Sequence, residues 1–478
     1  MTGVPMKGLL FQKRDSVAKR RDYSQKFTIN DNPTIRGFKM LNSQKIRMNL
    51  LGIRMGRELP RLYSLYNQSQ YWDDEEMSAF QNNRLRTLFA HCLQNSPFYA
   101  RMLRVAGINP DSASIQDLKK LPICEKGDLK QNHKDITAKN LHELPLIKRG
   151  TTGGTTGEPL VVFSDANRRA STSAALYRYF DWIGVSLASS KLRVWGQPIV
   201  KRSGIKKIRR NISDYISNFN DLDAFKIAEK YFEEYVAAFK KHKPSLLRGY
   251  TQSLYELALI LKKHGFQYPL RGVSCTVEPL FEQYRQLFRE VFSCEAFDQY
   301  GCGECNSIAF ECEHHQGLHV ARENCLLEVD ENGAAIITDL NNRAFPIIRY
   351  KPGDNLVVST EPCSCGRPGP IIKKIFGRTG DVVIGADGMK LHPEFFTHLI
   401  NEASISGKQR IRKYQVRQDA IGHLSWIIEI DAMAEKDISI LHEHLRRYLI
   451  NTEIKISISK EIPRESSGKF RYVISNVH

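Results

Sequence analysis

The sequence predicts an α/β fold: a large N-terminal domain of mixed β-sheets and helices, carrying a small α+β domain at its C-terminal end. Three observations predict it. The chain has 478 residues with 41% hydrophobic content, too long for one small module and enough for a large packed core. Short apolar or β-branched runs at residues 160–163, 192–195 and 335–338 alternate with helical spacing at 224–239 and 253–263, the pattern of an α/β chain. The last hundred residues change character, with strands expected at 425–430 and 455–459 around a helix at 437–449.

Before these elements, residues 72–139 read as a helical entry layer. Phe80, Leu85, Leu88, Phe89 and Leu93 recur at helical spacing, and Pro97, Pro110 and Pro122 punctuate the segment. The Gly-rich stretch 377–381 marks the joint between domains, because few side chains there can pack across it. The expected organisation is a basic extension over 1–70, a large domain over 71–377 and a small domain over 378–478.

Charge narrows the partners without naming one. Lys and Arg total 70 against 52 Asp and Glu, a formal +18. Residues 1–60 hold 13 cations against 4 acids, and residues 201–210 hold six more cations. An anionic membrane surface, a phosphate-bearing substrate or nucleic acid would each suit such a chain, and so would a solvated basic face. Nucleic acid ranks last, since no aromatic residues interleave with the basic ones and no recognisable module is present. No run approaches the roughly 18 apolar residues of a membrane span, nor does the start carry a signal-peptide core, so a cytoplasmic location is expected. The 10 cysteines then read as reduced thiols or metal ligands.

Arg149-Gly150-Thr151-Thr152-Gly153-Gly154-Thr155-Thr156-Gly157-Glu158-Pro159 concentrates glycines, which free backbone amides to face an anion, and hydroxyls, which add donors. It lacks the Gly-Lys-Ser/Thr ending of a Walker A loop, and by itself it reads equally as a flexible turn. Four further segments follow: Gly272-Val273-Ser274-Cys275-Thr276-Val277-Glu278-Pro279-Leu280; Gln299-Tyr300-Gly301-Cys302-Gly303-Glu304; Ile348-Arg349-Tyr350-Lys351-Pro352-Gly353-Asp354 with Gly377-Arg378; and Ile462-Pro463-Arg464-Glu465-Ser466-Ser467-Gly468-Lys469. Together, and in this order, the five motifs resemble those of the adenylate-forming superfamily. Residues 340–350 and Cys363-Ser364-Cys365-Gly366-Arg367 narrow the resemblance to the phenylacetate-CoA ligase branch and its CapK-type relatives. It covers roughly residues 70–478.

The resemblance implies the adenylate-forming fold with a mobile small domain, and an ATP-dependent reaction. A carboxylic acid becomes an acyl-adenylate with release of pyrophosphate, then passes to coenzyme A or another acceptor such as a sugar-linked one. By the same resemblance Thr151, Thr152, Gly153, Gly154, Thr155 and Thr156 cradle phosphates, and Glu304 helps hold Mg²⁺. Val277, Glu278, Pro279, Tyr300 and Gly301 line the adenine site, Asp354 holds the ribose and Arg378 lies near the nucleotide. Lys469 reaches from the small domain to the acyl-phosphate bond. Gly377 and Gly380 are placed to absorb the rotation that withdraws it. Gly303 replaces the usual Thr, and Gly380 the usual hinge acid, which points to a reshaped site or a weaker enzyme.

Cys312, His319, Cys363 and Cys365 form two clusters of soft ligands, a set suited to structural Zn²⁺, with His314 or His315 as alternatives to His319. The competing reading makes Cys312 a buried apolar residue and the Cys363 loop an uncommitted turn. Cys302 and Cys305 read as structural thiols. Tyr177, Phe180, Trp195, Gly196 and Tyr250 are candidate substrate-pocket walls, although aromatic residues at such spacing also serve as core. An aryl acid, or an acyl or amino-acid substituent destined for a polysaccharide, would each suit the resemblance. A second class of function also stands: a basic peripheral protein of polysaccharide assembly, bound to the inner face of a membrane or to a polyanion, with a vestigial ligase site.

Overall fold

The computed structural model describes residues 35–151, 160–195, 212, 214–224, 227–378, 383–388, 390–391, 396, 399, 413–430, 435–449, 451–463 and 470–477. Met1–Asn42 and Ser43–His478 are separate compact units. The larger unit includes the helix Leu59–Ser69, whose Leu59, Leu62 and Tyr66 are fully buried. This helix, which the sequence assigned to the basic extension, is held to the body by a bond from Arg178 to the Tyr66 carbonyl.

The entry layer consists of helices Asp74–Asn95 and Pro97–Val105 and shorter turns that follow. Its first helix starts where Asp73 accepts from the Glu76 amide while Glu76 accepts from the Asp73 amide, a reciprocal cap. Pro97 opens the next helix at a position where its missing N–H is harmless.

A five-stranded parallel sheet forms the centre, in the order Phe219–Asp223, Lys191–Trp195, Leu246–Tyr250, Gly272–Thr276, Ala296–Phe297. Its inner strands are buried on both faces, which explains their continuous apolar character. Leu192, Val194, Leu247 and Val273 pack on one face against helices Phe232–His242, Thr251–Lys263 and Glu282–Phe292. On the other face Phe219, Leu246 and Phe297 meet the helix Ala166–Trp182. The expected helix over 224–239 is displaced: a strand ends at Asp223, a short 3₁₀ turn spans Glu229–Tyr231, and the helix starts at Phe232. The Tyr235 hydroxyl pairs with both the amide and the carbonyl of Ala228, pinning an extended turn where helical spacing had suggested continuity.

A second sheet is antiparallel, in the order Asp354–Ser359, Ile371–Arg378, Leu318–Val320, Ala309–Glu311, Gln299–Tyr300. The third, at the C-terminal end, runs Glu453–Ser459, His423–Glu429, Lys413–Ala420, Val473–Ser475. With the helix Glu435–Tyr448 it encloses a separate core around Trp426. Strands and helix fall close to where alternation and periodicity in the sequence placed them.

Candidate active site and metal cluster

The antiparallel sheet brings together residues far apart in sequence. Tyr300, nearly fully buried, donates from its hydroxyl to Asp354 Oδ2 at 2.7 Å. Asp354 stands opposite Arg378 in the register of the neighbouring strand, so two motifs 24 residues apart meet at one point of the backbone. Gly301 follows where a Cβ would come within 3.1 Å of the Ser307 amide nitrogen, leaving little room for a side chain. Cys302 and Cys305 form a tight turn, the Cys302 amide donating to the Cys305 carbonyl at 2.9 Å. Burial holds both thiols well above the usual range, so they are neutral. Glu304 is buried with Lys126 Nζ 3.7 Å from its carboxylate. That distance exceeds a hydrogen bond, so the carboxylate keeps acceptor capacity. One such carboxylate with substrate phosphates is a donor set that fits Mg²⁺.

The segment after the strand Gly272–Thr276 is strained. Val277 has φ +79°, a left-handed conformation that β-branched residues rarely adopt. Thr251 Oγ1 lies 3.4 Å from the Thr276 carbonyl and 2.8 Å from that of Glu278, bracketing the strained residue. Val277 and Pro279 are exposed, whereas Glu278 is buried. Its carboxylate accepts from the Gln252 amide at 2.8 Å and from the Phe470 amide at 3.0 Å. Gln252 lies in the first turn of the helix Thr251–Lys263, where unsatisfied amides favour an anion.

Phe470 belongs to the C-terminal region, and the contact continues through side chains. Tyr284 and Tyr472 hydroxyls lie 2.7 Å apart, and Gln252 Oε1 is 2.8 Å from the first and 2.5 Å from the second. Each hydroxyl has one proton, so one donates to the amide oxygen and the other to its neighbour. Gln252 Nε2 donates to Glu256, which also pairs with Lys413 Nζ at 2.5 Å. A continuous polar network thus docks the C-terminal segment on the body, and burial keeps both tyrosines protonated far above neutral pH.

Cys312, His319, Cys363 and Cys365 present ligand atoms that all lie within 4.8 Å of one another. Cys312 Sγ is 3.7 Å from Cys363 Sγ, and Cys365 Sγ is 3.4 Å from His319 Nε2. A tetrahedral Zn²⁺ with Zn–S near 2.3 Å has S···S edges of about 3.8 Å and S···N edges of about 3.5 Å. These two edges match, and the donor set suits zinc. His314 and His315 do not join: His314 pairs with the Ser364 hydroxyl, and His315 with Glu311. Trp182 packs edge-on to His319, and Arg367 lies over Trp182 while holding Glu313 with two bonds.

Among the sequence candidates, Thr151 is the last residue of the strand Lys148–Thr151. Thr152, Gly153, Gly154, Thr155, Thr156 and Lys469 lie outside the described residues, as do Gly196, the basic stretch 201–210 and the side chain of Arg378. Phe180 is core, packed against Phe219 and Tyr179. Sequence reasoning missed Gln252, Tyr284 and Tyr472. Each is an ordinary polar or aromatic residue, and only long-range contact gives it meaning. No helix among the described residues is long and apolar enough to cross a membrane.

Comparison with known proteins bears on the fold and its relatives. Residues 383–476 match the family model of the CapK C-terminal domain. Protein CapK of Staphylococcus aureus is 23% identical over 420 residues, 84% of this chain and 90% of that protein. The phenylacetate-coenzyme A ligase of Thermus thermophilus is 23% identical over 444 residues, 84% and 96% of the two chains. Among solved structures, 2-hydroxyisobutyryl-CoA ligase in its postadenylation state matches with TM-score 0.67 at 17% identity, over 86% of this chain and 92% of that one. The same ligase in the thioesterification state matches at 0.56 with 18% identity, over 85% and 91%. The chain is a homologue of CapK and of the phenylacetate-CoA ligases, with an adenylate-forming CoA ligase fold and a CapK C-terminal domain.

Proposed function

We propose that this protein is an AMP-forming ligase that activates a carboxylic acid with ATP and transfers the acyl group to coenzyme A. The observation that carries the reading is the bond from the Phe470 amide to Glu278, which fixes the chain one residue beyond Lys469 against the proposed adenine segment. The greater likeness to a ligase in its postadenylation state supports the same arrangement.

In this reading residues 71–377 hold ATP and the acid, and residues 378–478 deliver Lys469. Asp354, oriented by Tyr300, accepts from the ribose hydroxyls. Thr151–Thr156 supply donors to the phosphates, and Glu304 is the protein ligand for Mg²⁺, which neutralises phosphate charge when bound. The acid's carboxylate oxygen attacks the α-phosphorus and pyrophosphate leaves. Lys469 stabilises the charge that builds on the oxygens during transfer. The thiolate of coenzyme A then attacks the acyl carbon and AMP departs. Zn²⁺ on Cys312, His319, Cys363 and Cys365 would be structural, because four protein ligands leave no open position. The CapK homologue alone suggests a polysaccharide setting and a sugar-linked acceptor.

Pyrophosphate release from ATP and Mg²⁺ across aryl, fatty, hydroxy and dicarboxylic acids, with and without coenzyme A, tests the reading. Release should depend on one class of acid and fall by about 10²–10³-fold in Lys469→Ala, the usual loss on removing one group that stabilises developing charge. Release at the parental rate in that variant would remove Lys469 from the mechanism. Absence of ATP binding would overturn the ligase reading itself.

A further inference from the structure

The central parallel sheet reverses its winding between Lys191–Trp195 and Leu246–Tyr250. From the first of these strands the chain proceeds to Phe219–Asp223 on one side, then crosses back to Leu246–Tyr250 on the other. Such a switch point leaves a crevice at the carboxyl ends of the two strands, where α/β sheets bind small molecules. The last residues of these strands are Trp195 and Tyr250, with ring centroids 4.7 Å apart.

Two arginines stand side by side on these strands, ahead of Trp195 and Tyr250. The registers place Asp221, Arg193, Arg248 and Ser274 in one row across four strands. Arg193 is neutralised by two bonds to Asp221, at 2.8 and 2.9 Å. Arg248 is only 8% exposed and has no carboxylate partner among the described residues. Among the described residues its one neutral partner is Gln299 Oε1 at 2.9 Å, and its buried Nε has none. The guanidinium lies 5.5 Å from the centre of the Trp195 ring, and its charge acts on Tyr177. Two residues nominated as pocket walls, Trp195 and Tyr177, thus stand near it, and a third, Tyr250, packs against Trp195.

A buried cation left half-satisfied destabilises a fold unless something else completes it. Burial, with Arg193 alongside, pulls the Arg248 guanidinium down to about 10, yet leaves it charged at neutral pH. Gln299, its partner, precedes Tyr300, whose hydroxyl bonds to Asp354, so the chain links the guanidinium to the proposed nucleotide corner.

We propose that Arg248 is a specificity residue that binds a second carboxylate on the acid substrate, so that the ligase acts on dicarboxylic acids. The inference rests on the ligase reading above, and it gives the open Nε and the planar fork of Arg248 the partner they suit. The Trp195 and Tyr250 rings would bound the carbon chain between the two carboxylates.

Calorimetric titration with succinate, glutarate and adipate, paired with butyrate, valerate and hexanoate, tests it without any turnover. At least one dicarboxylate should bind about tenfold or more tightly than its monocarboxylate match, as a charge-assisted bond implies. Arg248→Gln should abolish that preference, and Arg248→Lys should keep part of it. Melting temperatures of the variants report folding, and Arg248→Met should melt no lower than the parent if the charge serves a ligand. Equal binding of both acid series, or a preference that survives Arg248→Gln, would overturn the proposal. Dicarboxylate preference in binding with no pyrophosphate release from any acid would overturn the ligase reading and leave the binding site standing.

Discussion

The metal cluster and the tyrosine network are both buried polar sites that join segments distant in sequence, yet they hold in opposite ways. Cys312, His319, Cys363 and Cys365 converge with their ligand atoms within 4.8 Å of one another, a donor set suited to zinc. Once filled, such a site has no cheap way to open. Gln252, Tyr284 and Tyr472 meet through neutral hydroxyls and an amide, each bond worth only about 0.5–1.5 kcal/mol net because water can replace it. Permanence is placed beside the sheet that carries Tyr300, and reversibility where the C-terminal region docks. The proposed alternation between two half-reactions would use that division.

Breaking the permanent site should have the largest effect. The purified protein is expected to contain one zinc per chain. Cys363→Ser should lose it, with local stability falling by several kcal/mol, on the order of what a structural zinc contributes. Metal analysis and thermal melting read both quantities. A metal-free protein that melts as the parent does would mean that the four residues pack as thiols and imidazole alone.

The docked segment should respond next. Glu278→Ala removes the acceptor of two backbone amides, each charge-assisted bond being worth about 1.5–3 kcal/mol. Hydrogen exchange over the peptide following Lys469 should accelerate by more than tenfold while zinc content stays unchanged. Unaltered exchange there would show that the Phe470 bond does not hold the segment. Tyr472→Phe deletes one hydroxyl and should produce a smaller acceleration, up to about tenfold. If it instead exceeded Glu278→Ala, the hydroxyls would dominate the docking.

Asp298 lies two residues before Tyr300, with its amide donating to Glu311 at 2.7 Å. Burial, with Glu311 nearby, pushes its carboxyl up to about 7. The folded protein therefore keeps a proton that the unfolded chain releases near pH 4. The resulting stabilisation is fully present below that value and is lost as pH rises to about 7. The difference in stability between the parent and Asp298→Asn should decline over that window and level off above it. A flat difference would place the Asp298 carboxyl in the ordinary range.

Much of this was legible before any coordinates. The C-terminal strands and helix announced themselves because alternation and helical periodicity are local, and a separate core needs no distant partner to specify it. The three cysteines of the Cys/His cluster were legible because few residue types have their chemistry, while the histidine was left open among three. The helix expected at 224–239 began late because one hydroxyl, Tyr235, fixed Ala228 in an extended turn. The helix Leu59–Ser69 looked like part of a basic tail, since its apolar face is short and only Arg178 and the helix Ala166–Trp182 reveal what it packs against.

By itself, the sequence determined the α/β class, the order of the five motifs and the three cysteines of the Cys/His cluster, because each depends on residue type and spacing along the chain. Tertiary structure alone decided that Tyr300 would meet Asp354, that His319 rather than His314 or His315 would join the cysteines, and that Arg248 would stand beside Arg193 with no carboxylate of its own among the described residues. The reason is physical. Strand register and sheet order set which distant side chains become neighbours, and whether a charge is paired depends on those neighbours rather than on the residue that bears it.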